Sequence, residues 1–124
     1  MIPDDIRRFV LTSIPSIPYL EAALLLRRDE VTQWDAFNVA KALYVAPPRA
    51  AELLRELAAA GVATFDAGQQ TYSYAPRDDM LAGMLDQLAE LYRSDTIAIT
   101  HLVHDTTQRS AHRFANAFNI RKDG

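Results

Sequence analysis

Residues 45–62, VAPPRAAELLRELAAAGV, constrain this fold more than any other stretch of the chain. They open on two prolines, run through an apolar stripe and stop at a glycine. Proline has no amide hydrogen to lose in a first helical turn, and its fixed φ suits that turn. Glycine suits the left-handed residue just past a helix end. With about 100° between successive residues, Ala50, Leu53, Leu54 and Leu57 share one side, so this helix needs a core to lie against. The opposite side holds Pro48, Glu52, Arg55 and Ala59, flanked by Arg49, Ala51 and Glu56.

The flanking chain supplies that core. Pro3 with Asp4 and Asp5 marks a helix start, acids lying against the positive helix end, and Ile6, Phe9, Val10 and Ile14 follow on one face. SIPSIP breaks that helix, because residues before proline avoid the α region. A second helix is expected over residues 17–28; its middle, AALLL, is apolar on nearly all sides, which predicts the most buried helix. Thr32 with Asp35 reads as a partial capping box for a third, with Trp34, Phe37, Val39, Ala40 and Leu43 at core positions.

After Gly61 the sequence VATFDAGQQTYSYAP reads as two short strands around a tip at residues 67–70, with Gly68 favouring the turn. A long helix is expected from Asp78. Its stripe of Leu81, Met84, Leu85, Leu88, Leu91 and Tyr92 has the spacing of an intersubunit seam. The stripe lapses at residues 93–95. The next ten residues, TIAITHLVHD, are β-branched enough for either a strand or more helix, with helix favoured. A last short helix, QRSAHRFANAF, would align Ala111, Phe114, Ala115 and Phe118.

The 124 residues suit one domain, divided as N-terminal helices (1–31), a central unit (32–76) and C-terminal helices (77–124). There is no cysteine, which removes disulfides and thiolate metal sites. No apolar run approaches the roughly 20 residues that span a bilayer, and MIPDDIRRF carries acids where a secretory signal carries bases. A cytoplasmic protein with no membrane partner is expected. Net charge is −3 and the pI about 5.5, against values above about 9 common in DNA-binding domains.

Three helices, the third ending in LLRELAAAGV, then a hairpin ending in YSYAP, form a pattern that resembles the winged-helix bacterial regulators of the MarR and PadR type. Leu53, Leu54, Leu57, Gly61 and Val62 match their recognition-helix pattern, and the long helix after the hairpin resembles a PadR dimerisation helix. The final FANAFNIRKD resembles the end of small uncharacterised bacterial winged-helix proteins. The resemblance implies a mostly α winged helix-turn-helix with a two-stranded wing and a helical C-terminal extension. It also implies a homodimeric transcription regulator of double-stranded DNA. Arg49 and Arg55 would meet bases or phosphates and Gln69 and Gln70 the backbone, while Leu81, Met84, Leu85, Leu88, Leu91 and Tyr92 join the subunits.

The residues themselves argue against part of this. The outward helix face carries arginine and glutamate in nearly equal measure, and Glu52 sits three residues from both Arg49 and Arg55. Pro47 and Pro48 lack the N–H groups with which helix starts bind phosphate. The hairpin tip, DAGQQ, has one acid and no base, so it releases no counterions. The alternative is a winged-helix adaptor that binds protein and not DNA. Arg109, Arg113, Arg121 and Lys122 gather near the C-terminus, where they complement a helix end or face phosphate.

His101, His104, Asp105 and His112 have loose metal-ligand spacing, but without cysteine or a paired glutamate no metal site is expected. The sequence lacks a phosphate-binding loop, a dinucleotide fingerprint and a nucleophile elbow, so neither catalytic residues nor a cofactor are expected. Tyr44, Tyr72, Tyr74, Tyr92 and Trp34 read as core, with a pocket between hairpin and long helix as the lesser alternative.

Overall fold

In the computed structural model, which describes residues 2–105, the chain is mostly helical and carries one small antiparallel hairpin. Helix α1, Asp4–Ser13, buries Ile6 and Val10 fully, and Ile14 follows them into the core. The proline-rich break leaves Ser16 extended, and its hydroxyl accepts from the Tyr19 amide at 3.3 Å to start α2, Ile17–Arg28. This helix contributes Tyr19, Leu20, Ala22, Ala23, Leu25 and Leu26 to the core, as its apolar middle predicts. Arg27 and Arg28 close its negative end, and Arg27 Nε also pairs with Asp86 at 2.8 Å.

The third helix starts later than the sequence suggests. Asp35, not Thr32, is the cap: its carboxylate accepts from the Asn38 amide at 2.8 Å, and α3 runs over Ala36–Leu43. Trp34 stays extended because its backbone exchanges two 2.7 Å hydrogen bonds with Tyr72, forming an isolated antiparallel bridge. Phe37, expected inside, is 73% exposed. Val39 and Ala40 are buried and Leu43 packs against the core, and Phe37 lies about 100° round the helix from Ala36.

Helix α4, Pro47–Ala59, packs against α3, α2 and the hairpin through Ala50, Leu53, Leu54 and Leu57, all buried. Each of those leucines contributes about 1.5–3 kcal/mol by leaving water. Gly61 ends the helix at φ 79°, with its amide donating to Ala58 O and the Val62 amide to Leu57 O. Strand β1, Ala63–Asp66, then pairs with β2, Thr71–Tyr74, in the register Ala63 opposite Tyr74 to Asp66 opposite Thr71. At the tip the left-handed residue is Gln70 (φ 55°) and not Gly68.

Asp78 caps α5, Asp79–Ser94, by accepting from the Leu81 amide at 2.8 Å. Asp95 breaks the helix at φ −145°, ψ 61°, and its carboxylate accepts from the Ala98 amide at 3.4 Å, starting a further helix, α6, over residues 96–105. Ile99, Leu102 and Val103 return its apolar side to the core. No single helix among the described residues is long and apolar enough to cross a membrane. The bent pair α1 and α2 has the length and composition, but the two meet at 111° and both supply the core. The last helix expected from the sequence lies outside the described residues.

Three tyrosines tie this core to pH. Burial raises the hydroxyl pKa of Tyr19, Tyr74 and Tyr92 above the ordinary 10.0. Nearby carboxylates add to it: Glu56 at Tyr19, Asp86 and Glu30 at Tyr74 against an opposing Arg27, and Glu21 at Tyr92. The folded chain therefore keeps protons that the unfolded chain releases once pH passes 10. The stability this represents is complete below about pH 10 and is lost as pH rises through the raised values. Urea midpoints should hold steady from pH 8 to about 9.5 and then fall; Tyr19→Phe should soften the fall, and an identical slope would remove Tyr19 from the account.

Candidate functional site

The outward surface around the start of α4 gathers the side chains on which recognition would depend. Ala46 caps the helix without a side-chain hydrogen bond, and Pro47 and Pro48 occupy its first positions, so the helix begins with missing donors. Before it, Tyr44 ends α3 in the left-handed conformation (φ 57°, ψ 44°) and is 94% exposed. Ala46, Pro47 and Pro48 are exposed as well. A non-glycine residue held left-handed costs on the order of 1 kcal/mol, so the aromatic ring is held at this turn against a local penalty.

Arg49 and Arg55 face outward from α4 but differ in availability. Arg49 Nη1 lies 3.1 Å from Glu52 Oε2 and 4.0 Å from Glu56 Oε1, which answers its charge within the helix. Arg55 is exposed and has no ion pair among the described residues. Gln69 and Gln70 are exposed at the hairpin tip. The tip is organised by Asp66, whose Oδ1 accepts from the Gly68 amide at 2.9 Å and the Gln69 amide at 3.2 Å. The carboxylate that shapes the tip also makes it negative.

The six candidates for a subunit seam divide between two faces of α5. Leu81, Leu85 and Leu88 are buried in the chain's own core, and the Tyr92 hydroxyl donates to Glu21 at 3.4 Å across to α2. The same three-and-four spacing serves a core face as well as a seam, and here the core takes it. Met84 and Leu91 are only partly buried, and Met80 beside them is 76% exposed.

No family model, curated protein or solved structure matches this chain. The surfaces therefore have to be interpreted from their own geometry.

His101 and His104 are exposed on α6, and no group of three His, Cys, Asp or Glu that could hold a metal occurs among the described residues. His112 and the bases Arg109, Arg113, Arg121 and Lys122 lie outside them. The tyrosines do not converge on one pocket: Tyr44 is on the surface, Tyr92 lines a shallow groove between α2, α3 and α5, and the Tyr72 ring packs tilted against Phe65, centroids 4.8 Å apart. A further open cleft lies between α1 and α5, where Phe9, Thr12, Ser13, Arg77 and Leu81 border two adjoining cavities.

Tyr44, expected in the core, is instead exposed at the turn. A signal was present: α3 has to end before APP, and no glycine stands there to take the left-handed position. Phe37, also exposed on α3, was missed because an aromatic at helical spacing reads as core.

Proposed function

We propose that this chain is a winged-helix module that works by binding another protein through the turn between α3 and the start of α4. The winged-helix reading is supported by the order of elements. Helix α2, the Trp34 bridge, α3, α4 and the hairpin follow one another as in such modules, with the bridge serving as the short first strand.

The observation that carries the protein-binding reading is the leading end of α4. Where a DNA reader presents bases and free amides, this surface presents Tyr44, Ala46, Pro47 and Pro48, followed by an Arg49 already held by Glu52 and Glu56. Affinity for a phosphate backbone grows with each phosphate neutralised by lysine or arginine. The chain carries thirteen such bases against sixteen acids, a net −3 that opposes approach to DNA. Exposed Tyr44 at the turn, with exposed Phe37 near the start of α3, instead offers rigid apolar contact at little entropic cost, the pattern of protein interface anchors.

A second reading, a homodimeric DNA-binding transcription regulator, is favoured by Arg55, exposed and unpaired on the outward face of α4. In it two α4 helices would lie about one DNA turn apart. In both readings the exposed part of α5 around Met84 and Leu91 is the candidate for self-association.

Selection from a random duplex pool at low salt separates the two. The protein-binding reading expects no enriched duplex, and a photo-crosslinking residue at position 44 should trap a partner that Phe37→Ser with Pro48→Ser releases. Enrichment of a duplex whose affinity drops steeply with salt and with Arg55→Ala would overturn it in favour of DNA.

A further inference from the structure

The cleft between α1 and the first half of α5 has the construction of a ligand site; it lies away from the turn between α3 and α4, and its rim adjoins the exposed part of α5 at Met84. Two cavities of about 320 and 290 Å³ adjoin there. Each has room for roughly ten water-sized groups, the lower end of the range for small-molecule pockets. Phe9, Thr12, Ser13, Arg77 and Leu81 line both, so the two lie side by side along one cleft. Its inner end runs in to Tyr19, Ala23 and Leu85, and its outer end opens past Arg8, Met80 and Met84.

The polar groups are arranged unevenly along it. Towards the outer end two guanidinium groups border the space. Arg8 has no ion pair among the described residues, and Arg77 Nε meets only its neighbour Asp78, at 3.5 Å. The two acids there each have one oxygen held by a backbone amide: Asp5 Oδ1 accepts from the Ile6 amide at 2.8 Å, and Asp78 Oδ1 from the Leu81 amide at 2.8 Å. Arg77 is seated by Gly61. A Cβ there would come within 2.8 Å of Arg77 Cδ, so the arginine stem crosses the space that the glycine leaves open. The inner end is apolar apart from Tyr19, which is only 5% exposed.

We infer that this cleft binds a small amphipathic carboxylate, with its apolar body between Phe9, Leu81 and Leu85 and its carboxylate at Arg77 and Arg8. Guanidinium and carboxylate match as a charge-assisted, two-pronged hydrogen bond, which sets orientation. The apolar walls supply the driving force, as in pockets that bury most of a ligand. The sulfur-containing rim residues Met80 and Met84 adapt to ligands of varied shape.

The test uses the full chain with decanoate as probe and decanol as its uncharged counterpart. Decanoate should bind saturably, shift the amide resonances of Thr12, Ser13, Arg77 and Leu81, and raise the unfolding temperature with concentration. Decanol should bind at least roughly tenfold more weakly, and Arg77→Ala should bring decanoate down to the level of decanol. Ser13→Trp, at an exposed position in the shared middle of the cleft, should abolish binding of both, and Thr12→Phe serves if that variant fails to fold. Absence of saturable decanoate binding would overturn the inference. So would equal affinity for decanol, or binding that survives both cleft-filling variants.

Discussion

Gly61→Val should cost about 2 kcal/mol of folding stability and lower the unfolding temperature by roughly 10 °C. Two penalties add. At φ 79° a side chain is forced into the left-handed region, which costs about 1–2 kcal/mol for any non-glycine residue and more for a branched one. The new Cβ also meets Arg77 at 2.8 Å from Cδ and 3.2 Å from Cβ and Cγ, so the arginine stem has to move. That stem is not free to swing far, because the Arg77 amide donates to Gly61 O at 2.8 Å and holds the return of the hairpin against the helix end. Urea denaturation of the single variant, Arg77→Ala and the double variant separates the terms. The backbone penalty and the 3.2 Å approach to Cβ persist in the double variant while the contacts with Cγ and Cδ disappear, giving a coupling that the cycle reads directly. Strict additivity would mean that Arg77 does not press on this position, and would remove Gly61 as its seat.

The features legible in the sequence are those decided locally. The ends of α4 follow from Pro47 and Gly61, its buried side from four residues at helical spacing, and the hairpin tip from residues 67–70. The missed features were decided by distant partners. Thr32 and Asp35 are both adequate caps, and the choice falls to Asp35 because Tyr72 draws Trp34 into an extended bridge. Gly68 looks like the left-handed turn residue, but Asp66 accepts its amide and the next one, which passes the reversal on to Gln70. At the candidate surface, sequence spacing identified Glu52 as the neighbour of Arg49, and the structure adds Glu56. Spacing gave no means of seeing that Tyr44 takes the strained position. The α1–α5 cleft had no signal at all, since its walls come from residues some seventy positions apart.

The stripe on α5, expected to join two subunits, divides between two sides of the helix, and its leucines at 81, 85 and 88 go to the chain's own core. Leu88 is fully buried and Leu85 nearly so. Leu88→Ala should therefore cost about 3 kcal/mol, the loss of buried surface plus the cavity left behind. That loss belongs to the single chain, so the unfolding midpoint should not depend on protein concentration through this residue. Aspartate at Leu85 or Leu88 would bury an unpaired charge and unfold the chain, which makes such variants useless for reading its mass. Self-association has to be tested on the neighbouring side, where Met80, Met84, Gln87 and Leu91 recur at steps of four, three and four and remain at least partly exposed. Met84→Asp with Leu91→Asp should leave the chain folded but bring its sedimenting mass down to 13.9 kDa if this face joins two copies. An unchanged mass would put the seam elsewhere. A wild-type chain that already sediments as a monomer would leave α5 with the core as its only apolar contact.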